Sequence, residues 1–223
     1  MIVEKVKIII NDAEIVSGVL SSPEPSKDSQ TGIILAHGAG ADMNTPLIAF
    51  LANGLCEAGY VTLRFNFPYK EKGRKAPDHQ GKLVETWEKV FEYFKASIKP
   101  LKTVVAGKSM GGRVVSQMTG DKIIEPDGLI FFGYPLHPPG KKEKLRDAHL
   151  YSIQNRMLFF SGTRDSLCDL NLLRPILKKL KTVDLEIIKG GDHSFKLLKS
   201  AKVTEGEVFE YVLRKTIDWL QSL

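Results

Sequence analysis

The segment Gly107-Lys108-Ser109-Met110-Gly111 sets a serine between two glycines in the pattern G-x-S-x-G. A serine hydroxyl is a weak nucleophile until a neighbouring base takes its proton and a third group holds that base in the right tautomer. The chain offers both further on. His193 lies in Gly190-Gly191-Asp192-His193-Ser194, and Asp165 closes Ser161-Gly162-Thr163-Arg164-Asp165. Together the three residue types support acyl transfer, with Ser109 as nucleophile, His193 as proton shuttle and Asp165 as orienting carboxylate. Acyl transfer also develops negative charge on the carbonyl oxygen, which preorganised backbone N–H groups stabilise. Met110, directly after the serine, offers one such N–H. Ala39, within His37-Gly38-Ala39-Gly40, is expected to offer the second, its flanking glycines letting the loop come close. His37 reads as a structural loop residue.

For these residues to meet, each must leave the end of a strand in one sheet. The apolar patterning provides such strands. Val6, Ile8 and Ile10 alternate, Asn11-Asp12-Ala13 offers a turn, and Ile15 to Leu20 answers as a second strand. A Ser/Pro-rich loop is expected from Ser21 to Gln30. A short continuous apolar run of the kind buried on both faces follows at 32–36, and further strands are expected at 60–67, 103–106, 129–132, 157–161 and 185–188. Between them lie helical patterns. Thr45-Pro46 opens one that carries Leu47, Phe50, Leu51 and Leu55 on one face. Leu83, Trp87, Val90, Phe91 and Phe94 mark a second, and residues 111–119 a third. A fourth is expected over 172–180, with Pro175 delaying its start or kinking it, and Phe209, Leu213, Ile217 and Leu220 mark a last one. Strands alternating with helices imply a mostly parallel sheet covered on both faces, with ligands gathered at the carboxyl ends of its strands. The four chemistry-bearing segments each follow a predicted strand. The G-x-S-x-G pattern is weak alone, but here it joins a strand to a helix, as a nucleophile elbow requires. His193 is expected on a flexible loop able to swing over Ser109.

Five stretches carry a family resemblance: Ile33-Ile34-Leu35-Ala36-His37-Gly38-Ala39-Gly40, Gly107-Lys108-Ser109-Met110-Gly111-Gly112-Arg113, Gly133-Tyr134-Pro135-Leu136-His137-Pro138, Lys144-Leu145-Arg146-Asp147, and Leu158-Phe159-Phe160-Ser161-Gly162-Thr163-Arg164-Asp165. Over nearly its whole length the chain resembles the α/β-hydrolase superfamily. Within that superfamily it is similar to the small, lidless dienelactone-hydrolase-like group, which includes testis-expressed hydrolase-like proteins. The resemblance implies an α/β-hydrolase fold, with about eight mostly parallel strands and helices on both faces. It also assigns nucleophile, acid and base to Ser109, Asp165 and His193, the order Ser, Asp, His being that of the superfamily. The resemblance carries no substrate; the residues themselves lead to a carboxylesterase-like serine hydrolase for small carboxylic esters or related acyl compounds, working without a cofactor. Dienelactone hydrolases themselves use a cysteine where this chain has Ser109, which points away from that one reaction.

Composition narrows the remaining choices. At 43% hydrophobic and 26% charged, 223 residues suit one globular domain over 1–223. No apolar run approaches the ~20 residues a membrane span needs. The opening MIVEKVKIII carries charges within its apolar stretch and no small-residue cleavage site, so a cytoplasmic setting is expected. The net charge of +6 is spread along the chain and interleaved with acids, which argues against a nucleic-acid face. Lys108, Arg113 and His137 are read as cations near the site, with a preference for anionic substrates. Five scattered histidines show no metal-ligand spacing, so no metal is called for, and Cys168 reads as an inert thiol. No helical lid fits; the longest candidate, Pro135 to Asn155, has room for one short helix. The expected partner is therefore a small acyl compound in an open site. The rival function is a catalytically idle binding or scaffold domain on the same fold.

Overall fold

The computed structural model of the chain describes residues 1–24 and 30–223. β1 (Ile2–Asn11) and β2 (Glu14–Ser22) form the antiparallel hairpin that the alternation predicts. Its turn is pinned by the Asn11 side chain, whose Oδ1 accepts the Ala13 N–H at 3.1 Å. β2 runs on to Ser22, so the Ser/Pro-rich loop starts later than the sequence suggests; residues 25–29 of that loop lie outside the described residues.

From β3 (Thr31–Ala36) onward, strands and helices alternate: α1 (Pro46–Glu57), β4 (Val61–Phe65), a one-turn α2 (Pro68–Glu71), α3 (Gln80–Ile98), β5 (Lys102–Lys108), α4 (Met110–Gly120) and β6 (Gly128–Phe132). After a short 3-10 helix (Ala148–Ser152) come β7 (Arg156–Gly162), α5 (Leu170–Leu177), β8 (Val183–Ile188) and α6 (Glu205–Gln221). All eight strands join one sheet in the order β1-β2-β4-β3-β5-β6-β7-β8. β2 meets β4 antiparallel, and every pairing from β4 to β8 is parallel.

The inner strands are apolar at most of their middle positions because both of their faces are covered. In β3, Ile34 and Ala36 face a layer that includes Trp87 and Phe94 of α3 and Val114 and Met118 of α4. Their neighbours Ile33 and Leu35 face the opposite layer, built on Leu51 and Leu55 of α1 and Val212 and Trp219 of α6. This period-two division repeats in β6 and β7, where Phe131 lies 4.6 Å from Phe159 between ring centroids on one face and Phe132 stacks on Phe160 on the other. Full burial of each such side chain stabilises the fold by about 1.5–3 kcal/mol.

The connection from β3 through α1 goes to β4 on one side, and the chain then crosses β3 to reach β5 on the other. The loops after β3 and β5 therefore diverge at the carboxyl ends of adjacent strands, which opens a crevice there. Among the described residues no helical lid covers it: the stretch from β6 to β7 holds only the 3-10 helix. No helix of the described residues is long and apolar enough to cross a membrane.

Candidate active site

Ser109 caps α4 with φ 49° and ψ −112°, a backbone conformation that costs a non-glycine residue about 1–3 kcal/mol. The flanking helix and strand hold it there. Its N–H donates to the Phe132 carbonyl at 3.2 Å, and its own carbonyl accepts the Arg113 N–H at 2.9 Å. The glycines around it supply room rather than unusual torsions. A Cβ at Gly107 would lie 2.2 Å from the Gly112 nitrogen, and one at Gly111 would lie 2.7 Å from the His37 oxygen. Strand, turn and helix can close this tightly only without side chains.

His193 joins Ser109 to Asp165. Nδ1 lies 2.9 and 2.8 Å from the two Asp165 oxygens, and Nε2 lies 2.8 Å from the Ser109 hydroxyl. A carboxylate can only accept, so Nδ1 carries the proton and the Nε2 lone pair faces the hydroxyl. In this tautomer Nε2 can take the hydroxyl proton. The Asp165 side chain is fully buried, and its Oδ1 also accepts the Leu167 N–H at 2.8 Å. The loop carrying His193 is tied down rather than free to swing. Asp192 Oδ1 accepts from Ser194 and Lys196 N–H groups, and the Lys108 ammonium donates to the His193 carbonyl at 2.6 Å. The buried Phe195 ring lies beneath that ammonium, 5.7 Å away.

Lys108 is thus spent on positioning the histidine loop. Burial pushes its ammonium down to about 8, against the pull of Asp165 and Asp192. His137 also differs from expectation. It is buried, its Nε2 accepts the Asp169 N–H at 3.2 Å, and its Nδ1 therefore donates to the Pro138 carbonyl at 3.0 Å. Both ring nitrogens hold loops together, so the ring has no polar atom to offer a ligand at the rim. Cys168 is buried and its thiol is pushed up to about 12 by burial.

On the other side of the crevice, the Gly38 carbonyl accepts from three donors. His37 is fully buried and its Nε2 accepts the Phe67 N–H at 3.3 Å, so Nδ1–H donates to Gly38 oxygen at 2.8 Å. The Tyr69 hydroxyl and the Ala41 N–H each reach the same oxygen at 3.3 Å. In a trans peptide the C=O and N–H point opposite ways, so drawing the Gly38 carbonyl inward turns the Ala39 N–H outward. Ala39 and Met110 both line a cleft of about 450 Å³ together with Ser109. Among the described residues neither amide donates to another group of the protein.

A second serine–histidine contact, Ser116 Oγ to His149 Nε2 at 2.8 Å, has the opposite polarity. Ser116 is fully buried and donates its proton to the Arg113 carbonyl at 2.8 Å. Tyr134 likewise donates to the Arg146 carbonyl at 2.7 Å, so both oxygens accept from His149 Nε2–H. The ring is held neutral by burial, which pushes it down to about 4. This pair ties the loop after β6 onto α4. One effect is to bring Arg146 to the cleft wall beside Arg113, a placement that sequence spacing does not reveal. Arg113 was visible from its position one helical turn after Ser109.

Residues 29–221 match a family described as "Alpha/beta hydrolase domain". Solved structures give the same architecture at low sequence identity. An alpha-beta serine hydrolase homologue from Coxiella burnetii is 19% identical, with a TM-score of 0.74 over 95% of this chain and 96% of that one. A serine hydrolase without lid from Xanthomonas campestris is 20% identical, with a TM-score of 0.69 over 86% of each chain. A dienelactone hydrolase from Anabaena variabilis is 18% identical, with a TM-score of 0.74 over 99% of this chain and 97% of that one.

Proposed function

Because this chain belongs to the alpha/beta hydrolase family, we propose that it is a serine hydrolase that cleaves small carboxylic esters or related acyl compounds. The observation that carries this reading is the unbroken relay from the buried Asp165 carboxylate through His193 to the Ser109 hydroxyl, with the imidazole held in the accepting tautomer. Ser109 attacks the ester carbonyl while His193 Nε2 takes its proton. Asp165 stabilises the resulting imidazolium, and the N–H groups of Met110 and Ala39 stabilise the oxyanion. The imidazolium then protonates the leaving alcohol, which leaves an acyl-serine. Water, deprotonated by the same imidazole, releases the acid and restores Ser109. A cleft of about 450 Å³ with no lid above it supports short acyl groups over long lipid chains.

A fluorophosphonate probe together with turnover of p-nitrophenyl butyrate tests the reading. The folded protein should be labelled at Ser109, and Ser109→Ala should lose turnover by a factor on the order of 10⁴ or more. Asp165→Asn, which favours the wrong tautomer, should lose about 10³–10⁴. An unlabelled Ser109, with turnover that Ser109→Ala does not reduce, would instead make this domain a binding scaffold.

A further inference from the structure

Two guanidinium groups face the Ser109 cleft without an acidic partner. Arg113 and Arg146 both line it, and neither forms an ion pair with an Asp or Glu among the described residues. Arg113 is held by two amide oxygens, Gln117 Oε1 at 3.0 Å and Gln80 Oε1 at 3.2 Å. Among the described residues the Arg146 side chain reaches only the Pro135 carbonyl, at 3.4 Å. A guanidinium has five N–H donors, so most of this donor capacity is unused. The acid that shares the cleft, Asp78, is already engaged by Arg74 at 2.5 Å and by the Tyr69 N–H at 2.8 Å.

The pair is a fixed feature and not two drifting surface side chains. Arg113 is carried by α4 one turn beyond Ser109, and i, i+4 positions share a helix face. The Arg146 backbone is fastened at both ends, its N–H to the Leu136 carbonyl at 2.8 Å and its carbonyl to the Tyr134 hydroxyl at 2.7 Å. Both side chains are half-buried. Burial and the nearby Arg146 charge both push the Arg113 guanidinium down from its usual value. Two like charges brought together in a partly dry cleft are costly until an anion joins them.

We propose that Arg113 and Arg146 form an anion-recognition pair, and that the substrate is a short ester bearing a free carboxylate. The planar guanidinium fork matches a carboxylate with two parallel N–H···O bonds. Pro77, Leu83, Pro135 and Leu167 line the remaining wall and suit a short apolar body between the ester and the carboxylate. The assignment rests on the hydrolase reading of the same cleft. Of the cations expected near the site it keeps Arg113, and it sets Arg146 in place of Lys108 and His137, whose polar atoms are claimed within the fold.

The test compares mono-p-nitrophenyl glutarate with p-nitrophenyl valerate, which match in length and differ in the terminal carboxylate. Wild type should favour the glutarate in kcat/KM by about 10-fold or more, the worth of one charged hydrogen-bonded pair. Arg146→Gln should lower that preference by a similar factor, mainly through KM, and Arg146→Lys should restore part of it. Lys144→Gln, which removes an exposed charge two residues away and outside the cleft, should leave the preference intact. Equal turnover of the two esters by wild type, or an equal loss of preference in Lys144→Gln, would overturn the proposal. A second arm is independent of catalysis: glutarate should raise the Tm of Ser109→Ala, and the rise should vanish in the Ser109→Ala, Arg146→Gln double variant. If glutarate binds in that arm while no ester is turned over, the hydrolase reading fails and the anion site stands. If esters are turned over and glutarate shifts no Tm, the anion site fails alone.

Discussion

Gly38 has no side chain, yet its carbonyl sets the direction of the neighbouring amide. Three donors, from His37, Tyr69 and Ala41, converge on that oxygen and keep the Ala39 N–H aimed at the cleft. Removing one should loosen the aim without removing the amide. Tyr69→Phe is expected to lower kcat on p-nitrophenyl butyrate by about 3- to 10-fold with KM nearly unchanged, the size of one neutral hydrogen bond felt mainly in the transition state. An unchanged kcat would separate Tyr69 from oxyanion stabilisation. Single residues were legible in the sequence where their position along the chain fixed their position in space. Ser109, Asp165 and His193 each leave a strand end, and a parallel sheet gathers such ends. Lys108 and His137 were equally well placed along the chain, but the groups that claim their polar atoms, the His193 and Pro138 carbonyls and the Asp169 N–H, arrive only with the fold. Arg146 was illegible for the same reason, since a buried Tyr134–His149–Ser116 network brings it to α4.

The elbow between β5 and α4 depends on contacts between backbones, so its tolerance to substitution is set by distance. Gly107→Ala drives a methyl to 2.2 Å from the Gly112 nitrogen, where only movement of the strand against the helix could relieve it. Urea unfolding followed by far-UV circular dichroism should register a loss of about 3 kcal/mol or more. Gly206→Ala in the first turn of α6 is the contrast: its new methyl meets nothing closer than the Thr204 hydroxyl at 3.9 Å, and it should be neutral or stabilise by up to about 1 kcal/mol. The inner strands were legible because burial on both faces leaves short, mostly apolar runs, β3 and β6 most clearly. Their ends were not: β5 continues through Gly107 and Lys108 because its ladder to β6 reaches Phe132. Pro175 neither delays α5 nor sets its start. The helix begins at Leu170, where Asp169 caps it through the Asn171 N–H, and ends at Leu177, two residues past the proline. α6 opens at a capping box in which Thr204 and Glu207 satisfy each other's backbone N–H groups.

For the molecule as a whole, two neutral imidazoles, the fully buried His37 and the half-buried His149, should make the fold acid-sensitive. Burial pushes both His37 and His149 down to about 4 from an ordinary value near 6.5. Between those limits the unfolded chain binds the protons that the folded chain refuses. The stabilisation is therefore fully present above about pH 6.5 and is lost as pH falls toward 4. For the fully buried His37 the shift corresponds to roughly 3 kcal/mol. Urea midpoints should decline steadily from pH 6.5 to 4.5, before most carboxylates titrate, and a flat profile would mean that the rings accept protons in place. The spacing of the relay along the chain has a meaning in time as well as in space. Ser109 and His193 stand 84 positions apart, and the histidine follows the last strand to join the sheet. On the ribosome Ser109 is synthesised 84 residues ahead of the histidine that meets it in the fold. On the proposed reading, the serine spends the growth of the chain as an ordinary alcohol and gains its base only once β8 has been made and docked.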